Sequence, residues 1–184
     1  MISNPDFIIK SVKCKSGKTK NVLRRYKGSE SVVMIPDGVG KIDDFVFADD
    51  IEPNETITKI VIPDSVTEIS AYAFAWCKAL KEIEFPKNLK KFAVNFSHCP
   101  SVEEIFVPES VTEIQNLCYT KTLKTIHVGS NITKVNFSVF KDKKMIAIKP
   151  KSVADFLLLN SAYTVKDGFA INKKTFNSPF PPRF

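Results

Sequence analysis

Apolar and polar positions recur along this chain in short bursts. Val33-Met34-Ile35-Pro36, Ile60-Val61-Ile62-Pro63, Ile83-Glu84-Phe85-Pro86, Ile105-Phe106-Val107-Pro108 and Ile126-His127-Val128-Gly129 each set two bulky apolar side chains two residues apart and then stop. Period-two spacing over so few residues predicts a short strand. Proline then removes a backbone donor and ends the ladder. The four prolines and Gly129 are spaced 27, 23, 22 and 21 residues apart. A weaker sixth copy is expected around Ile146-Ala147-Ile148.

Each burst continues into a second half. Ile69 leads to Phe74-Ala75-Trp76-Cys77 and Leu80; Phe92 leads to Phe96-Ser97-His98-Cys99 and Val102; Ile114 leads to Leu117-Cys118 and Leu123. The irregular spacing there predicts a tight turn or a single helical turn. One coil of ~22 residues cannot bury its own apolar side chains, but coils stacked ~4.8 Å apart share a continuous core. Phe47, Phe74, Phe96 and Phe140 are the expected bulky fillers, which accounts for much of the total of 15 phenylalanines.

A stack needs its ends covered. Phe7–Lys13 and Asn21–Tyr26 flank Ser16-Gly17-Lys18 and predict a hairpin cap. Ser152-Val153-Ala154-Asp155 before Phe156–Leu159 has capping-box spacing and predicts a short helix closing the other end. The expected organisation is a hairpin cap at 1–31, a solenoid at 32–156, and a C-terminal cap with a Pro/Phe-rich tail at 157–184, all in one structural domain.

The units resemble the BspA-like, or Treponema pallidum-type, leucine-rich repeat. Ile62-Pro63-Asp64-Ser65-Val66-Thr67-Glu68-Ile69 and Ala73-Phe74-Ala75-Trp76-Cys77-Lys78-Ala79-Leu80-Lys81-Glu82-Ile83 carry the resemblance. Gly129 in place of proline, and the loss of Ala-Phe-x-x-Cys from the fourth and fifth copies, depart from it. With the caps read above, it implies a strand-rich α/β solenoid: a right-handed leucine-rich-repeat stack of about five to six short coils, with an N-terminal β-hairpin cap and a C-terminal helical cap. It further implies a bacterial surface or secreted setting, adhesion, and binding of another protein. From Met1, no cationic segment leading into an apolar one marks a signal peptide. No apolar run nears the ~18 residues of a membrane span.

The strand face is the usual ligand surface of such repeats. Its outward rows should be Met34, Val61, Glu84, Phe106, His127 and Ala147, and Val32, Lys59, Glu82, Glu104, Thr125 and Met145. Lys59, Val61, Glu82, Glu84, Glu104, Phe106 and His127 form the expected protein-binding patch, an apolar centre with a charged rim. Packing between strands is the competing explanation for that patch.

Charge qualifies this picture. The net +7 is uneven: residues 1–41 carry +6, residues 42–126 carry −6 and residues 127–184 carry +7. A second expected site is therefore polyanion binding (cell-wall polymer, glycan or nucleic acid) by Lys10, Lys13, Lys15, Lys18, Lys20, Arg24 and Arg25, and a purely structural repeat spacer is the remaining alternative. Aromatic residues are sparse in that stretch, which argues against base stacking and hence against nucleic acid. Lys41, Glu68, Lys91, Glu113 and Lys134 share one repeat position with alternating sign, so an attractive column is expected.

Chemistry-bearing motifs are lacking. There is no Gly-rich phosphate loop, Gly-x-Ser-x-Gly elbow or His-Glu-x-x-His. His98 and His127 read as structural, Cys77 and Cys99 as core spacers, Cys118 as a stand-in for phenylalanine, and Cys14 as exposed and able to link two copies. Asp49, Asp50, Glu52 and Asn54 are the nearest approach to a Ca²⁺ cluster, without EF-hand glycine spacing. No enzyme, metal or cofactor is expected, and a monomer or weak dimer is.

Overall fold

The computed structural model describes residues 4–49, 51–115, 122–123, 125–129, 131–132, 134–136, 147–150, 163–166 and 169–172. Its strands are β1 (Phe7–Lys13), β2 (Thr19–Tyr26), β3 (Val32–Met34), β4 (Lys41–Ile42), β5 (Lys59–Val61), β6 (Glu68–Ile69), β7 (Glu82–Glu84), β8 (Lys91–Phe92), β9 (Glu104–Phe106), β10 (Glu113–Gln115), β11 (Thr125–Val128), β12 (Lys134–Asn136), β13 (Ala147–Pro150), β14 (Tyr163–Lys166) and β15 (Phe169–Asn172). They build a strand-rich solenoid. From β3 onward the chain alternates between two faces, and β3 to β11 makes about four turns. No helix occurs among the described residues, and the capping helix expected near 152–159 lies outside them.

The odd strands from β3 to β13 form the strand face in two parallel sheets, ordered β3-β5-β7 and β9-β11-β13. On the other face the orders are β1-β2-β4-β6 and β8-β10-β12. Repeat spacing sets the register: Val32, Lys59 and Glu82 lie in one row, and Met34, Val61 and Glu84 in the next. Both faces therefore break once, at β7/β9 and at β6/β8. The breaks fall at different coil junctions, so each broken junction stays laddered on its opposite face, through β8–β10 or β5–β7.

Inward side chains form one core that includes Leu23, Ile42, Ile60, Leu80, Phe92 and Ile126. Phe47, Phe74 and Phe96 stack through it, with successive ring centroids 5.8 and 6.3 Å apart. This is the expected filler column; Phe140 lies outside the described residues. Cys77 and Cys99 are buried beside it, as core spacers would be. Burial pushes both thiols up, Cys99 to about 11. Cys14 is half-buried rather than exposed, beside the turn its own backbone closes with Lys18 and Gly17. Cys118 lies outside the described residues.

The N-terminal hairpin forms as expected, β1 running antiparallel to β2 from Phe7↔Tyr26 to Lys13↔Thr19. It continues the even-strand sheet, because β2 pairs in parallel with β4. Three of its basic side chains lock it down. Arg24 pairs with Asp43; Arg25 reaches Asp49 at 2.9 Å and Glu52 at 3.2 Å; Lys20 reaches Glu68 at 2.6 Å. Lys20 gets there by lying over Gly40, where an added Cβ would sit 2.8 Å from its Cγ.

That contact corrects the expected charge column. Glu68 is taken by Lys20 and Lys41 turns to Asp43, at 3.6 Å, so these two do not pair with each other, whereas Lys91 and Glu113 do, at 3.9 Å. The sixth strand also shifts. Ile126 faces Ile148, and Ala147 stands beside Thr125 rather than His127. A two-residue slip keeps every side chain on its face, so periodicity alone does not detect it. The C-terminal region adds an unexpected antiparallel hairpin, β14–β15, paired from Tyr163↔Asn172 to Lys166↔Phe169.

Candidate functional site: the strand face

All seven expected face residues lie on four neighbouring strands, Lys59 and Val61 on β5, Glu82 and Glu84 on β7, Glu104 and Phe106 on β9, and His127 on β11. Strand geometry turns them outward while Ile60, Ile105 and Ile126 go in. The structure gathers six of them into two groups, with Val61 in neither. In one, Lys59 Nζ reaches Glu82 at 3.0 Å and also Glu84. Hydrogen bonds to Glu84 and then Glu82 hold the Lys59 ammonium above its usual value. In the other, the Phe106 and His127 rings stack at 4.2 Å, and His127 Nε2 lies 3.1 Å from Glu104. Phe106 stays 59% exposed and Met34 70%. Thr125, expected in the outward row, is buried.

Between the groups lies the broken junction. A cleft of about 80 Å³ opens between β7 and β9, its apolar wall made by Ile83, Phe85, Phe96, Val102, Ile105 and Phe106. Lys81, Glu82 and Glu104 complete the lining. Two features of the third coil explain the opening. Phe85 holds a position filled by Ile35, Ile62, Val107 and Val128 in the other coils. Its ring meets Phe74 at 6.3 Å and Phe92 at 5.0 Å, both edge-on, and needs more depth than an aliphatic side chain. Glu82 and Glu104 are also successive members of one row, where like charges oppose pairing. Ile83 records the result: it is only half-buried where Ile60, Ile105 and Ile126 are buried.

The second expected site divides. Lys20, Arg24 and Arg25 are spent on the ion pairs that hold the hairpin. Lys13, Lys15 and Lys18 are exposed at its far end and Lys10 midway along β1, and none of the four makes an ion pair among the described residues. Of the supposed Ca²⁺ donors, Asp50 lies outside the described residues, and Asp49, Glu52 and Asn54 are engaged. Asp49 accepts from the Glu52 amide at 2.7 Å and from Arg25, which hold its carboxyl below the usual range; Asn54 accepts from the Thr56 and Ile57 amides. Among the described residues no group of side chains is arranged to hold a metal ion, and no helix is long and apolar enough to cross a membrane.

One surface feature escaped the sequence reading. Trp76 and His98 stack with centroids 3.7 Å apart, each on a backbone with positive φ, 66° and 60°. They sit at the same coil position, two residues after Phe74 and Phe96. That shared offset is the signal that could have linked them.

The comparisons agree with this architecture. Known structures similar to the chain include a leucine rich cell surface protein from Faecalibacterium prausnitzii, at TM-score 0.64 and 23% identity over 88% of this chain and 44% of that one. A leucine-rich repeat protein from Bacteroides capillosus is similar at TM-score 0.52 and 24% identity, over 68% of this chain and 95% of that one. The Treponema pallidum leucine rich repeat protein is similar at TM-score 0.55 and 22% identity, over 69% and 61%. At these identities the likeness is one of fold, and the chain spans less than half of the Faecalibacterium protein. No curated protein sequence matches. The model of the BspA type leucine rich repeat region matches residues 40–156 in six copies, and the chain therefore belongs to the BspA type leucine-rich repeat family.

Proposed function

We propose that this chain is a non-enzymatic module that binds another protein through its strand face, with adhesion at a cell surface as its setting. Repeats of this family generally serve protein–protein interaction, and the Faecalibacterium relative is described as a cell surface protein. The observation that carries the reading is Phe106. It is a large aromatic side chain, 59% exposed, stacked on His127 and set among Glu82, Glu84 and Glu104. Exposed aromatic anchors within a polar rim are where binding energy concentrates. The test is affinity capture from the native environment by the wild type, Phe106→Asp and Glu84→Lys. Both variants should lose the same partner, and its retention by both removes the strand face as the site.

One observation favours a second reading. Lys13, Lys15 and Lys18 at the hairpin tip, with Lys10 midway along β1, are exposed and suit an anionic glycan or cell-wall polymer. Such binding weakens steeply with salt, while capture by an apolar anchor does not.

A further inference from the structure

We infer that the cleft between β7 and β9 takes the aliphatic stem of a lysine or arginine from a basic segment of the protein partner. The inference rests on the strand-face reading above and names the chemistry of its occupant.

Size comes first. The cleft offers about 80 Å³, roughly half the ~150 Å³ that admits a benzene ring. An aromatic side chain does not fit, whereas a narrow chain of methylenes does. Polarity comes next. The wall is apolar, from Ile83, Phe85, Ile105 and Phe106, and Lys81 with Glu82 on one side of the break and Glu104 on the other complete the lining, two carboxylates to one ammonium. The side chains of Glu82 and Glu104 are 57% and 52% exposed, at the water edge of the cleft. Lysine and arginine divide in this same way, burying an apolar stem while the charged head stays wet. Charge completes the case. Three face carboxylates, Glu82, Glu84 and Glu104, outnumber the ammonium groups of Lys59 and Lys81, within a stretch of net −6. Lys59 already joins Glu82 and Glu84 across the β5/β7 junction. The junction one coil further has no lysine of its own in that row, and a partner's lysine would supply one.

The test is an NMR titration of the uniformly ¹⁵N,¹³C-labelled chain with blocked pentapeptides of glycine centred on Lys, Arg, norleucine, Phe or Glu. The Lys and Arg peptides should shift the Ile83 and Ile105 methyls and the amides of 82–85 and 104–106. Norleucine, which has the stem without the charge, should bind at least fivefold more weakly, and Phe and Glu should shift none of these signals. Glu82→Gln with Glu104→Gln, nearly isosteric, should weaken the Lys peptide at least fivefold. Phe85→Ile, which lets the coils close, should abolish its shifts. Equal response to Phe and Lys, shifts confined to the hairpin, or no response at all overturns the inference. If Phe106→Asp still abolishes partner capture while the Lys peptide shifts nothing, the strand-face reading survives and this inference fails. If Phe106→Asp leaves capture intact while the peptide binds as stated, the strand-face reading fails, and with it the assignment of the cleft's occupant to the captured partner.

Discussion

The β5/β7 and β7/β9 junctions join coils of nearly equal length, with prolines 23 and 22 residues apart, yet one is zipped and the other open on the strand face. At the first, Ile60 meets Ile83, and Lys59 bridges to Glu82 and Glu84. At the second, Glu82 precedes Glu104 in the row, Glu84 precedes Phe106, and Phe85 brings a ring where other coils carry isoleucine or valine. The difference shows how little separates a continuous sheet from a binding cleft in a repeat array. Each coil contributes the same framework, and one bulky inward residue with one like-charged row decides whether neighbours close. The opposite face carries the load meanwhile, through Glu113↔Lys91 and Ile114↔Phe92.

The comparison can be broken hardest at the spine the two junctions share. Phe74 is fully buried, stacked on Phe47 and Phe96 and edge-on to Phe85. Phe74→Ala should cost about 3–5 kcal/mol, read from the urea midpoint, and should lower protection at both junctions alike. Glu113→Lys acts next, on the closed face that holds the open junction. It puts three lysines in a row with Lys91 and Lys134, the register the strand pairing gives. The loss should be about 1 kcal/mol, a fall in Tm of roughly 2–4 °C; an unchanged Tm would refute an electrostatic role for that column.

Glu82→Lys sharpens the contrast most finely. It sets like charges across β5/β7 and opposite charges across β7/β9. Global stability should move by only about 0.2–1 kcal/mol, but hydrogen-exchange protection should fall at Lys59–Val61 and rise at Glu104–Phe106. The smallest effect concerns the hairpin, remote from both junctions. The Glu52 amide and Arg25 hold the Asp49 carboxyl below its ordinary value, so its ionised form stabilises the fold above the unfolded carboxylate pKa. That contribution is lost as pH falls through the lowered value. Asp49→Asn should accordingly lose less stability than the wild type between neutral pH and pH ~3, with the difference confined to that acid range and no change at the two junctions.

Much of this was legible from the residues. Period-two strands ended by proline located β3, β5, β7 and β9, the same spacing ended by Gly129 located β11, and the Phe47–Phe74–Phe96 column followed from the repeat. The face residues fell out of the same alternation. The open junction did not, because each coil taken singly obeys the pattern; only comparing Phe85 with Ile62 and Val107 across coils hints at it. The ion pairs of Lys20, Arg24 and Arg25 were hidden for another reason. They join residues 19 to 48 positions apart, and nothing local marks which acid each base will meet. The β14–β15 hairpin was different again: Asp167-Gly168 between alternating residues is a strong hairpin signal, and reading 157–184 as a cap and tail passes over it.

The central claim, that recognition takes place on the strand face around the open junction, is tested most directly by hydrogen-exchange footprinting of the chain alone and with the partner it captures. Protection should rise at 82–85 and 104–106 and leave the hairpin unchanged. Protection confined to 10–20, around the free lysines of the hairpin tip, with β7 and β9 unaltered, would contradict it.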